Sequence, residues 1–132
     1  MSVQNHQKDR STIYVAAAQH ECLSRLAEHS TTHAARLLRR ELDRAVIVSD
    51  EDAPRNFVRL DSLVEYDDLL SGKSWSITLV APQEADIDQN KVSVLTPVGA
   101  AVLGLVPGES FSWLTEDGRP RVLVIKRVVN RS

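Results

Sequence analysis

The sequence predicts an α+β fold: a short N-terminal antiparallel helical hairpin followed by an antiparallel sheet that carries one short helix. Three observations predict it. Apolar residues recur at helical spacing over roughly the first third of the chain. Alternation then takes over, most plainly where Trp75, Ile77 and Leu79 interleave with Ser74, Ser76 and Thr78. Finally, the run 84–105 holds an acidic loop, a short strand, a helix start and a helix stop in succession.

Residues 1–11 are polar and are expected to form a frayed tail. Ile13, Tyr14 and Val15 suit a short extended piece. A helix is expected from about Ala16 to His29, with Cys22, Leu23, Leu26 and Ala27 on one side. Ser30, Thr31 and Thr32 break that pattern and offer caps for a second helix from about His33 to Val46, striped by Ala34, Leu38, Leu42 and Ala45. A tight polar turn between helices of similar length makes a hairpin, each arm about 20 Å long at the helical rise. Ser49, Asp50, Glu51, Asp52, Ala53 and Pro54 form an acidic connector. The chain thus divides into a tail (1–11), a hairpin (12–50) and a sheet domain (51–132).

In the sheet domain, Val58, Leu60 and Val64 suggest extended chain, and Ser71-Gly72 a turn. Val92-Ser93-Val94 is a short strand. Thr96 can cap the next helix, and Pro97 at its first position gives up only an N–H that lacks an intrahelical partner. Val98, Ala101, Val102 and Leu105 recur at helical spacing, and Gly104 is placed to end the helix in a left-handed conformation. Val106-Pro107-Gly108 is a turn. Phe111 and Trp113 alternate with Ser110 and Ser112, and Asp117-Gly118 turns the chain into a last strand over 122–129. This gives about four or five antiparallel strands, with the helix covering one face.

Composition narrows the function. The 132 residues are 42% hydrophobic and 26% charged, which suits one compact unit with a real core. A net charge of −2 lacks the basic excess of a dedicated DNA-binding domain, so sequence-specific nucleic-acid binding is not expected. One cysteine, Cys22, allows no internal disulfide or thiolate metal site, and burial is expected for it. The N-terminus has no apolar signal core and no run reaches membrane length, so the expected location is cytoplasmic, away from membranes.

Catalytic patterns are missing. His29 and His33 stand four apart, as metal-binding histidines can, but they flank a turn and have no third ligand, while His6 and His20 have no partner. Asp86, Asp88 and Asn90 imitate the opening of a calcium loop, yet Lys91 occupies the glycine position and Pro97 the position of the bidentate glutamate. There is no Ser-His-Asp order, phosphate-cradling loop or dinucleotide fingerprint. Asp61, Asp67, Asp68 and Asp117 lie in or beside turns, where carboxylates serve the backbone. Trp75, Phe111 and Trp113 fall on alternating strand positions and are expected in the core. Arg36, Arg39, Arg40 and Arg44 give the second helix a basic flank, with Arg39 in reach of Asp43. The expectation is a non-enzymatic binding protein with no catalytic residue, cofactor or metal.

The second part resembles the C-terminal domain of the Gre transcript-cleavage factor family. The matching features run in order: Val64 through Asp67 to Ser71-Gly72, Ile77 to Pro82 before Glu84-Ala85-Asp86, and Val92-Ser93-Val94. They continue through Thr96-Pro97-Val98-Gly99, Ala100 to Leu105, Pro107-Gly108-Glu109 and the Asp117-Gly118 hairpin. Glu41-Leu42-Asp43-Arg44-Ala45 and Pro97 through Ala101 extend the likeness to a group of small regulators of nucleoside diphosphate kinase within that superfamily.

The resemblance implies an FKBP-like sheet domain carrying a short coiled coil. It also implies a partner, bacterial RNA polymerase, bound near its secondary channel; the chain is expected to be monomeric. The gripping residues it implies are Thr96, Pro97 and Val98, with the acidic loop Glu84, Asp86 and Asp88 as a second candidate. Leu95 stands where Gre factors often place a polar residue. Gre factors stimulate RNA cleavage through carboxylates at the tip of a long coiled coil, which help hold a second Mg²⁺ at the polymerase active centre. Here the tip reads Glu28, His29, Ser30, Thr31, Thr32, with one carboxylate on short arms. The expected function is docking that competes with Gre factors, without transcript cleavage, linked to nucleoside diphosphate kinase levels. The alternatives are an active cleavage factor, which needs convergent tip carboxylates, and an FKBP-like prolyl isomerase, which needs an aromatic pocket. For the basic flank, contact with an acidic polymerase surface or RNA is the alternative to a solvated helix face.

Overall fold

A computed structural model describes residues 12–49 and 56–130. The tail over 1–11, with His6, and the acidic connector over 50–55 lie outside the described residues. The element order is β1 (Tyr14–Ala16), α1 (Ala17–Glu28), α2 (His33–Arg44), β2 (Val46–Val48), β3 (Leu63–Asp68), β4 (Lys73–Val80), β5 (Lys91–Ser93), α3 (Pro97–Val102), β6 (Ser110–Leu114) and β7 (Pro120–Val129). Two single turns of 3₁₀-helix, Pro82–Glu84 and Ile87–Gln89, lie between β4 and β5. The fold class is mixed helix plus sheet, as the periodicities predict.

Thr32 starts α2 by accepting a hydrogen bond from Ala35 N at 3.1 Å. The stripe of α2 is wider than the four expected residues: Ala34, Ala35, Leu37, Leu38, Glu41 and Leu42 are all buried. The reason is that α2 is packed on two sides, by α1 and by α3. Arg39 does not pair with Asp43. It reaches across the turn to donate to the carbonyls of Ala27 (2.5 Å) and Ser30 (3.4 Å). Arg44 sits on the buried Glu41, Nε and Nη2 both 2.9 Å from Oε1. Cys22 is exposed, contrary to expectation, because α1 buries only the narrow strip of Leu23 and Ala27, with Leu26 at its margin.

The second helix is shorter than the apolar pattern to Val46 predicts. It stops at Arg44, because Ala45 takes an extended conformation and Val46–Val48 pairs in parallel with Tyr14–Ala16. The helical hairpin is therefore the crossover between two parallel strands. Tyr14 N also donates to Gly104 O at 3.1 Å, and Val58 exchanges backbone bonds with Gly104 and Leu105. These bonds tie the root of the hairpin to the end of α3.

The main sheet has the order β5-β4-β3-β7-β6. All its pairings are antiparallel except β4–β5, which is parallel. That single departure from the expected sheet arises because residues 81–90 carry the chain back along the edge of β4 before β5 begins. On β3, Val64, Tyr66 and Asp68 point inward and Leu63, Glu65 and Asp67 outward. A bulge opposite Glu65 and Tyr66 shifts the register of β7, which is why its buried positions step from Leu123 and Ile125 to Val128. The outer face carries ion pairs, Glu65–Arg127 at 2.9 Å and Asp67–Lys126 at 3.7 Å.

The inner face of the sheet, α3 and the hairpin share one hydrophobic cluster. Leu23, Ala27, Leu37, Leu38 and Leu42 belong to it together with Val64, Ile77, Leu79, Ala100, Leu105, Phe111, Trp113 and Ile125. Trp75 is the exception among the three aromatics expected inside: it stands on the inner face opposite Tyr66 but is 48% exposed. The cover extends over Ile77 and Leu79 and stops short of the β3–β4 turn, where Trp75 lies.

Asp68 ends β3 as a buried carboxylate. It accepts from Leu70 N (3.0 Å) and Ser71 N (3.2 Å), and pairs with Arg121 Nη2 at 3.0 Å. Burial pushes its pKa up, but the backbone bonds from Ser71 and Leu70 and the Arg121 guanidinium together outweigh burial and hold it below the usual value. A folded pKa below the unfolded one means that the carboxylate stabilises the fold above about pH 4 and loses that contribution as pH falls through the folded value. Asp68→Asn is expected to lower stability to urea at neutral pH, with the gap to the unsubstituted chain closing in acid. A gap that stays constant down to about pH 2 would contradict this account.

Candidate functional site

Thr96 and Pro97 form a rigid corner at the end of β5. Val94 N bonds to Val80 O at 2.9 Å, and Leu95 N to Ser93 Oγ at 2.9 Å. Thr96 is fixed three ways: its N donates to Ser93 O at 3.0 Å, its Oγ1 donates to the same carbonyl at 2.7 Å, and Oγ1 accepts from Gly99 N at 3.1 Å. The hydroxyl thus serves as both turn closer and helix cap. Pro97 is left exposed on the outside of the corner, while Val98 is half-buried against the core. The helix ends at Val102, and Gly104 follows with φ +84°.

The corner faces a groove of about 570 Å³ lined by Thr32, His33, Ala34, Leu95, Pro97, Thr115, Glu116 and Asp117. The structure therefore brings part of the hairpin tip, Thr32, beside the corner. Leu95 and the β6–β7 turn complete the walls. In the sequence Leu95 stands out only as a departure from the Gre pattern and Asp117 only as a turn residue. Nothing in local pattern could have joined them, because the contact is made by tertiary packing. His33 fixes the arrangement: its Nε2 is 2.8 Å from Leu114 O, binding the start of α2 to the end of β6.

The other tip residues stay outside this groove. Glu28 is exposed, His29 Nδ1 is engaged with Arg25 O at 2.8 Å, and Ser30 Oγ lies 3.2 Å from Thr32 Oγ1. Glu21 pairs with Arg25 at 2.8 Å, nearly two turns below Glu28. The two histidines that flank the turn are thus each spent on a different backbone carbonyl. Among the described residues no three His, Cys, Asp or Glu side chains gather as a metal site.

The acidic loop is a separate feature. Asp86 Oδ1 accepts from Asp88 N at 3.0 Å, and Asp86 and Lys91 exchange backbone bonds at 3.0 and 2.9 Å. Asn90 closes the turn with φ 57°. Glu84 and Asp88 are exposed. The loop precedes β5 and the Thr96–Pro97 corner follows it, so the two candidates lie at opposite ends of that strand, and the acidic residues are not among those that line the Pro97 groove.

A short helical crossover seated on a five-stranded sheet, with a capped proline corner at its edge, is the fold of a Gre-type transcription factor. It matches the structure of a prokaryotic transcription elongation factor GreA/GreB from Nitrosomonas europaea with a TM-score of 0.71 and 31% identity, covering 90% of this chain and 98% of that one. Residues 53–129 match the family described as transcription elongation factor, GreA/GreB, C-term, and the chain belongs to that family. It is 40% identical over 81 residues to the regulator of nucleoside diphosphate kinase of Escherichia coli, covering 61% of this chain and 60% of the relative. It is also 37% identical over 86 residues to the transcription inhibitor protein Gfh1 of Thermus thermophilus, covering 64% of this chain and 54% of that protein. The chain thus matches a little over half the length of these curated relatives. No helix among the described residues is long and apolar enough to cross a membrane.

Proposed function

We propose that this protein is a cytoplasmic, monomeric regulator that binds bacterial RNA polymerase near its secondary channel and competes there with Gre factors without stimulating transcript cleavage. The sheet domain, FKBP-like in plan, supplies the grip through Thr96, Pro97 and Val98, with Glu84, Asp86 and Asp88 as an accessory charged contact. The hairpin acts as a short coiled coil at the channel mouth. Its effect on nucleoside diphosphate kinase levels runs through transcription rather than through contact with the kinase.

One observation carries the reading: the apex offers a single carboxylate, Glu28, on arms of 12 residues each, about 18 Å by the helical rise. Recruiting a second Mg²⁺ at a distant active centre takes convergent carboxylates and a long reach. The residues present fit neither requirement. They fit occupancy of a docking site.

Stalled elongation complexes supply the test. The protein is expected to reduce cleavage stimulated by a Gre factor and to add none of its own. Pro97→Ala is expected to weaken binding to core polymerase by about 1–3 kcal/mol, or roughly five- to 150-fold. Robust cleavage stimulation by the protein alone would remove the reading, as would core polymerase that fails to bind it.

A further inference from the structure

The basic flank of α2 separates into two pairs. Arg39 and Arg44 are committed inside the molecule, to the turn carbonyls and to Glu41. Arg36 and Arg40, one helical turn apart, are exposed and make no ion pair among the described residues; Arg36 donates only to Thr31 O at 2.8 Å. Both line a groove of about 610 Å³ between α2 and the β6–β7 hairpin, opposite Trp113, Leu114 and Pro120. The walls are apolar between the charges: Leu37 and Trp113 are buried in them, and Leu114 is 58% exposed at the rim.

We propose that this groove receives a short acidic protein segment bearing one apolar side chain. Two carboxylates about 6 Å apart, as at i and i+4 of a helix, match the spacing of Arg36 and Arg40. The apolar side chain seats on Leu114 and Pro120. The groove is rich in donors and poor in acceptors: two guanidinium groups line it, and the only carboxylate among its lining residues is Glu116. Nucleic acid is the poorer match. Trp113 is only 6% exposed and offers no stacking platform for a base. His33, Thr115 and Glu116 line both this groove and the one at Pro97, so the two are continuous. The inference rests on the docking reading to the extent that one partner fills both.

The test uses the full chain with Trp75→Phe, leaving Trp113 as the sole indole reporter. The probe is a helical peptide with two glutamates four residues apart and a leucine between them. A saturable change in fluorescence is expected. Arg36→Glu with Arg40→Glu should raise Kd at least tenfold and flatten its salt dependence, while the Arg36→Lys and Arg40→Lys pair should keep most of the affinity. Equal binding by the charge-reversed chain, no binding at all, or preference for single-stranded RNA of equal charge overturns the proposal. Core polymerase titrated in parallel separates the two readings. Peptide binding without polymerase binding retires the polymerase and keeps the groove, whereas polymerase binding untouched by charge reversal does the opposite.

Discussion

Gly99→Ala is expected to destabilise the protein by about 3 kcal/mol, seen as a lower urea midpoint. A Cβ at this position would stand 2.1 Å from Ser93 O and 2.9 Å from both Ser93 C and Val94 Cα. All three are backbone atoms, so no rotamer change relieves the overlap. Ser93 O is also the acceptor for Thr96 N and Thr96 Oγ1, and moving it would dismantle the corner that presents Pro97. Helix propensity works the other way, favouring alanine by about 1 kcal/mol, and is outweighed. Gly72→Ala is the comparison: nothing lies within 4 Å of its Cβ, so it should lose only the modest cost of a left-handed conformation. Equal stability of the Gly99→Ala and Gly72→Ala variants would refute the close approach of α3 to the end of β5.

Leu38→Ala is expected to cost about 2–5 kcal/mol and to destabilise sheet and hairpin together. Leu38 is fully buried in α2, within the cluster that includes Leu79, Ala100, Phe111 and Ile125 of the sheet and α3. Truncating its side chain there leaves a cavity bounded by both parts of the chain. In a Trp75→Phe background, helical circular dichroism and Trp113 fluorescence should therefore report one coincident transition, shifted to lower denaturant by Leu38→Ala. If the hairpin signal moved while the Trp113 signal stayed in place, the shared core would be disproved.

Much of this architecture was legible in the sequence because it rests on local chemistry. The Thr96-Pro97 start is a cap and a preorganised φ, and both operate within four residues. Alternation in β4 and β6 marks which side of each strand is inner, and the Gre-type motif order places α3 between β5 and β6. What escaped was set by distant partners. Trp75 and Trp113 share the same alternating pattern, yet one is open and one enclosed, because only tertiary cover distinguishes them. Val46 ends an apolar helical pattern in the sequence, yet it opens the strand Val46–Val48, which pairs with β1. The basic flank looks uniform in sequence, and its division into committed and available arginines follows from the turn carbonyls and Glu41. The groove that gathers Thr32, Leu95, Pro97 and Thr115 joins segments far apart in the chain, with no signal at any one of them.

The parallel pairing of Tyr14–Ala16 with Val46–Val48 has a consequence for how such proteins diversify. A crossover whose two feet are stitched side by side can be exchanged for another of different length without disturbing its footing. Adding matched turns to α1 and α2 would lengthen the hairpin while leaving the five-stranded sheet as it stands. One handle can thus accept tools of unequal reach, and a blunt one differs from a sharp one in what lies beyond the stitch.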